Sequence, residues 1–474
     1  MSGAWAQALA PLLILAGGAT LLMLQIALAR SASLSRQLAL GILTVAAAVP
    51  LLMLARGLAP ASVTPLLSAD APALLMAALF SAGGAVTAWL SDRYLATHAE
   101  RPDEYYLLLL LAVLGAAVLA YAVHVASLLL GLELLAIASY ALIAYPADRR
   151  PPVEAAAKYL VLSGAATATL LFGFALLYAA SGELAFAGLR AGAGDRIALM
   201  GGTLVLVGFA LKIAAAPFHL WIPDVYEGAP APVSGFLASV AKAAPLFVLL
   251  RLFGTADFFA DAGLVRVSAI LAVLSMLVGN WLALLQDNVK RLLAYSSIAH
   301  AGYLLIVFSA GAAAGGRALA MEAGLFYLIA YVPTALAAFA LLTQLSAARA
   351  GDDVVAVDDL AGLCWRQPLL AALFGVALLS LAGIPLTAGF FAKFYLFAAA
   401  AAGGAWLLLG ALVAGSALGI YYYLRLVFVM TRPGDGGGAA APVAAGPSLA
   451  LMALILLLGI APGLLMGYLS GLLR

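Results

Sequence analysis

The sequence predicts an all-α integral membrane protein of about fourteen transmembrane helices, with two consecutive five-helix units in inverted orientation, each containing a broken helix. Three observations carry this expectation. The 474 residues are 66% hydrophobic and only 9% charged, whereas a soluble globular chain is about 25% charged. Apolar runs of about 20 residues, the length that spans a bilayer, recur from one end of the chain to the other. Two of these runs carry an interior proline with a lysine nearby: Lys212 before Pro217, and Lys393 after Pro385.

In chain order the runs fall near residues 5–28, 37–55, 71–91, 105–122, 124–145, 155–180 and 197–221, then 230–251, 264–286, 291–312, 318–345, 366–398, 404–430 and 448–470. No basic stretch precedes the first run; Arg30 and Arg36 follow it, so it is expected to be a retained helix rather than a cleaved signal. The main polar interruptions are residues 348–368 and a Gly/Ala/Pro linker at 431–448, whose side chains offer little to pack and which is expected to be flexible. About five helices separate the two interior prolines. Five is odd, so consecutive units of this kind enter the membrane from opposite faces. Broken helices at matching places of inverted repeats point to an ion path. Proline is common in membrane helices, but that alone does not put a lysine beside each break.

Loop charge sets the expected orientation. Alternate loops place Arg30, Arg36, Arg93, Arg101, Arg149, Arg150, Lys290, Arg291, Arg349, Arg366 and Arg432 on one face, against Arg56, Arg190, Arg196, Arg251, Arg266 and Arg317 on the other. The richer face is expected in the cytoplasm, with both termini periplasmic.

Several function classes have no support. One cysteine, Cys364, cannot form an intrachain disulfide, and an iron–sulfur cluster usually takes four cysteines. His98, His124, His219 and His300 are far apart, without the HExxH spacing of a zinc site. No dinucleotide or Walker A fingerprint is present, and the basic residues are too scattered for a nucleic-acid surface. The expected surroundings are lipid, with no redox cofactor in this chain.

The ionisable residues inside the runs are therefore the informative ones. They are Glu133, Lys158, Lys212, Lys242 and Lys393. A charge at the centre of a spanning helix costs about 2.5–3.5 kcal/mol even on the insertion scale. The plain reading is one ion pair between Glu133 and a lysine, with Lys158 and Lys393 snorkelling to the interface. One ion pair needs one lysine, however, and this chain has several on different helices. Burial disfavours the charged form and an opposite charge restores it, so such groups suit a proton relay. His219 sits just after Pro217. His300 shares a polar helix face with Tyr295, Ser296, Ser297 and Tyr303. Either histidine could be a hydrogen-bonded packing residue or part of the relay. Asp224 and Glu227 are read as surface groups in a connecting loop.

These residues lie in stretches that resemble the antiporter-like membrane subunits of respiratory complex I, and in particular its subunit N (subunit 2) family. The stretches are KIAAAPFHLWIPDVYEGAPAPVSGFLASVAKAA (212–244), NVKRLLAYSSIAHAGYLL (288–305) and SLAGIPLTAGFFAKFYLF (380–397), with DDLAGLCWRQPLL and KYLVLSGAATATLLFGFALLYAASGEL agreeing. Together they span roughly residues 105–430. The resemblance implies a three-helix segment at 1–104, a first antiporter-like repeat at 105–262, a second, inverted one at 263–430, and a linker with a C-terminal helix at 431–474. It implies proton translocation driven by quinone reduction elsewhere in an NADH–quinone oxidoreductase, with NADH, FMN, iron–sulfur clusters and quinone in partner subunits, in a bacterial inner membrane. It implies that Glu133 pairs with Lys212, that Lys158 modulates that pair, that Lys242 is the central relay lysine and Lys393 the exit-side one, with His219 and Tyr295 along the path. His300 is added from the polar face. The chain departs from the family at Leu386, where a second proline is expected, at Ala392, where glycine is, and at Ala241, with Pro245 downstream. A subunit of a sodium/proton antiporter or of a membrane hydrogenase is the alternative; the wording IPDVYEGAP after Trp221 favours subunit N.

Overall fold

The computed structural model describes residues 3–58, 61–99, 101–145, 149–189, 195–313, 315–348, 351, 353–433 and 445–472. Helices α1 (Gly3–Ala8), α2 (Ala10–Leu28) and α3 (Ala32–Ala55) lead to a short hairpin, β1 (Ala61–Thr64) and β2 (Leu67–Ala69). Then come α4 (Ala71–His98), α5 (Asp103–Tyr121), α6 (Val125–Ile143), α7 (Arg150–Ser181), α8 (Arg196–Lys212), α9 (Ile222–Gly228), α10 (Ala231–Ala238) and α11 (Val240–Thr255). The second part holds α12 (Ala262–Leu284), α13 (Val289–Gly311), α14 (Arg317–Ala347), α15 (Leu363–Arg366), α16 (Pro368–Ala382), α17 (Ala388–Ala402), α18 (Trp406–Thr431), α19 (Ala445–Ile460) and α20 (Pro462–Leu472). This is an all-α, multi-pass membrane protein.

Among the described residues, eleven helices are long and apolar enough to cross a membrane singly, with α10 and α11 counted as one span. The run expected at 448–470 is not one straight helix. It bends by 79° between α19 and α20, at Pro462, which has no N–H to continue the ladder, and the pair makes a twelfth span if taken together. The runs at 197–221 and 366–398 are not single helices either. α8 stops at Lys212, and residues 383–387 part α16 from α17. The hairpin was not expected from sequence. Its turn holds the extended link between α5 and α6, because the Leu66 carbonyl accepts from the Val123 N–H (3.2 Å) and the Ser127 hydroxyl (2.7 Å).

Apolar side chains such as Leu130, Ile137, Val161 and Phe172 face outward, as a lipid-facing surface requires. α14 is enclosed along its whole spanning length and forms the central post. Basic residues that loop charge assigns to one face bind groups in other loops at the same helix ends. Arg30 pairs with Glu104 (3.1 Å), Arg36 with Asp92, Lys290 with Asp353, and Arg149 donates to the Gly351 carbonyl. On the opposite face Arg251 pairs with Asp70, and Arg317 donates to the Gly254 carbonyl. Arg190, Arg349 and residues 434–444 of the linker lie outside the described residues.

Candidate functional site

The first break begins where α8 ends. Lys212 is its last residue, with a side chain only 5% exposed. Its Nζ donates to Ser163 Oγ on α7 at 2.8 Å and stands 3.5 Å from Glu133 Oε1 on α6. The Thr167 hydroxyl, one turn beyond Ser163, donates to the same carboxylate oxygen. Glu133, midway along α6, is 38% exposed, so the pair is asymmetric: a buried ammonium and a half-buried carboxylate. The orphan carbonyls at the end of a helix favour a cation there, which fits Lys212 closing α8.

Beyond Lys212 the backbone turns through Ala214 (φ 54°) and Pro217. A break inside a membrane must satisfy the groups it frees. The Trp221 indole donates to the Leu211 carbonyl (3.1 Å), and the Ala216 N–H donates to Ser275 Oγ on α12 (2.9 Å). His219 is buried in this break. Its Nδ1 has no partner among the described residues, and its ring meets the half-buried Tyr295 of α13 edge-on at 6.4 Å.

Lys242 lies in the first turn of α11 and is 4% exposed. Its ammonium donates to the Ser297 carbonyl (2.7 Å) and hydroxyl (2.9 Å) on α13. One turn on, His300 Nδ1 pairs with the Tyr327 hydroxyl (2.5 Å), and Nε2 lies 3.4 Å from the Tyr423 hydroxyl.

The second break mirrors the first chemically. Gly383 (φ 86°) ends α16 in the left-handed conformation that glycine adopts freely. Lys393 reaches back from α17 to the carbonyls of Leu381 (3.0 Å) and Ala382 (2.9 Å), two of those that the break frees. Its Nζ also lies over the Tyr303 ring at 4.9 Å. Between His300 and Lys393 is a cavity of about 10 Å³ bordered by Tyr327, Tyr331, Thr334 and Ser380, space for about one water. The break forms without a second proline: Leu386 takes φ 72° instead. Ala392 is buried and lines the cavity.

Lys158 is placed differently from the other lysines. The sequence put it in the buried set, yet it is 41% exposed and bound to Glu154 and Asp224, each at 2.8 Å. Asp224 and Glu227 are not in a loop but on α9, where Arg291 bridges them at 2.8 and 2.7 Å. Burial alone would push the Asp224 carboxyl up. The hydrogen bonds from Lys158 and Arg291 outweigh it and hold the group below its ordinary value. The sequence reading also missed Ser163 and Thr167, and Tyr327 and Tyr331. Each pair has i, i+4 spacing within a spanning helix, a signal that puts two hydroxyls on one face.

Residues 122–419 match the family described as NADH:quinone oxidoreductase/Mrp antiporter, transmembrane. The chain is 44% identical over 431 residues to NADH-quinone oxidoreductase subunit N of Ectopseudomonas mendocina (strain ymp), covering 89% of this chain and 86% of that one. It belongs to the subunit N family. Among solved structures, a chain of Thermus thermophilus respiratory complex I with bound aureothin superposes with a TM-score of 0.83 at 36% identity, covering 97% of this chain and 99% of that one. A chain of the Mrp complex from Dietzia sp. DQ12-45-1b superposes at 0.87 with only 21% identity, over 100% and 97% of the two chains. That likeness is one of fold alone. Subunit N identity, rather than the antiporter alternative, is what sequence similarity supports.

Proposed function

We propose that this chain moves protons across a bacterial inner membrane as the N subunit of an NADH–quinone oxidoreductase, beside the other membrane subunits of the assembly. The carrying observation is that Lys242 and Lys393 are buried on neutral oxygens alone among the described residues. A lysine kept only to lock helices together would be expected on a carboxylate, because an unpaired buried ammonium is strongly unfavourable. A lysine that must gain and lose a proton is better served by neutral acceptors.

In this reading Glu133 and Lys212 form the first station, and His219 with Tyr295 bridges the break to α13. Lys242 is the central carrier, His300 the link, and Lys393 the exit-side group. Lys158, in its ion cluster with Asp224, biases the first station through α7 rather than carrying the proton. The repeats 105–262 and 263–430 are then two inverted halves of one path, with both termini periplasmic. NADH, FMN, iron–sulfur clusters and quinone belong to partner subunits, in keeping with a single cysteine here.

Lys212→Arg tests the relay, since arginine keeps its proton at any accessible pH and still pairs with Glu133. The assembled complex should lose most proton-coupled quinone reduction. Glu133→Gln should weaken it too. Normal coupled turnover in a fully assembled Lys212→Arg complex would refute the relay at this position.

A further inference from the structure

Asn280 lies outside the relay but touches both sides of its second half. It is 1% exposed on α12, where the other buried polar side chains are Ser268 and Ser275. Its Nδ2 donates to the Met276 carbonyl (2.6 Å) and to the Tyr303 hydroxyl (3.0 Å), and its Oδ1 accepts from the Tyr422 hydroxyl (3.0 Å). The Met276 carbonyl fixes the orientation of the amide, because the flipped form would set oxygen against oxygen. Two tyrosines are thereby fixed in opposite senses: Tyr303 accepts from the amide and Tyr422 donates to it.

Each tyrosine leads to a relay group. The Tyr303 ring is the surface beneath the Lys393 ammonium at 4.9 Å. Tyr422 packs against Tyr423 with ring centroids 4.4 Å apart, and the Tyr423 hydroxyl is shared between Ser296 and His300. The amide itself cannot relay a proton by gaining or losing one near neutral pH. It can only set the geometry of groups that do. α18 leaves room for this arrangement through Gly415. A Cβ there would stand 2.8 Å from Asn280 Nδ2 and 2.9 Å from the Tyr303 hydroxyl, closer than real contacts allow.

We infer that Asn280 is a positioning residue of the proton path, holding the Tyr303 face under Lys393 and, through Tyr422 and Tyr423, the hydroxyl on His300. This rests on the relay reading above. Lys393 and His300 also face Tyr327 and Tyr331 across their shared cavity, so those groups remain as an unaltered background when Asn280 is changed.

The test uses the whole assembled complex, with assembly measured separately from proton-coupled quinone reduction across a pH series. Asn280→Leu should assemble, fall by about five- to tenfold in coupled turnover, the scale of one or two lost buried hydrogen bonds, and show a displaced pH profile. Gly415→Ala disturbs the same contacts without removing a polar group and should displace the profile in the same direction. Lys393→Met tests the underlying reading on its own: normal coupled turnover there overturns the relay. If Lys393→Met is inactive while Asn280→Leu and Gly415→Ala keep the wild-type rate and profile, the positioning role alone is overturned. A uniform loss of rate with an unmoved pH profile makes Asn280 a packing residue and also overturns it.

Discussion

At Lys242 the ammonium has given up water for two oxygens of one serine, Ser297. Such a site is a burden on stability: even a buried ion pair can often be replaced by apolar side chains of similar volume with no loss or a gain of about 1–4 kcal/mol, and Lys242 has no carboxylate among the described residues to offset its desolvation. Lys242→Met should therefore assemble at least as well as the wild type and unfold at an equal or higher temperature. It should nevertheless lose coupled quinone reduction by about a hundredfold, the lower end of what a positioned proton-transfer group contributes. Thermal stability and turnover, measured on the same preparation, separate these effects; retained turnover would leave Lys242 without a role. Lys242 was legible in the sequence as a candidate, because a lysine inside an apolar run is costly. Its partner was not, because a backbone carbonyl leaves no mark in a sequence. Lys158 lies nearer a helix end than Lys242, so a snorkelling side chain was open to it in the sequence, but its partner Asp224 was not legible because it comes from another helix.

Among the elements, the two breaks share a logic that differs in execution. In the first, Lys212 closes the half-helix itself; in the second, Lys393 comes back from the following helix to carbonyls of α16. That return requires α17 to lie against α16. Gly389, one turn before Lys393 on the same face, makes this possible: a Cβ there would collide with the Ser380 carbonyl, and the Gly389 N–H donates to Ser380 Oγ at 3.0 Å. Gly389→Ala should part the two helices, lowering stability by about 1–3 kcal/mol and lowering coupled turnover. Gly375→Ala on α16, where an added Cβ meets nothing within 4 Å, should do neither. A thermal melt and a turnover assay on both variants decide it; a tolerated Gly389→Ala would mean that Lys393 does not depend on this approach. Interior prolines made both breaks legible in the sequence. The exact ends of the half-helices were less so: Gly383 is a local stop signal for α16, whereas the positive φ of Leu386 is not something its residue type announces. Proline at 386 turned out to be unnecessary for the break.

Across the whole molecule, the ion pairs that gather like-sided loops fix which residues share a face, while the sign of the loop charge proposes which face is cytoplasmic. Arg30 with Glu104 and Arg425 with Asp287 tie one face together, and Arg251 with Asp70 belongs to the other. The number and order of apolar runs made this arrangement readable in outline, but the hairpin at 61–69, held by contacts with the link between α5 and α6, was not. The bend after α19 did have a mark in the sequence, Pro462, which the expectation of a single run left unused. Orientation is open to direct test in a Cys364→Ser background. Asp358 and Ala402 are both exposed, at connections on opposite faces. With the Arg-rich face in the cytoplasm, Ala402→Cys should react with a membrane-impermeant thiol reagent in intact cells. Asp358→Cys should react only after the membrane is opened. The reverse pattern would invert the molecule and with it the direction assigned to the path, because Lys393 would then lie on the uptake side rather than the exit side. The hydrogen bonds that hold Lys212, Lys242 and Lys393 would be unchanged by such an inversion, so the labelling tests orientation independently of the relay.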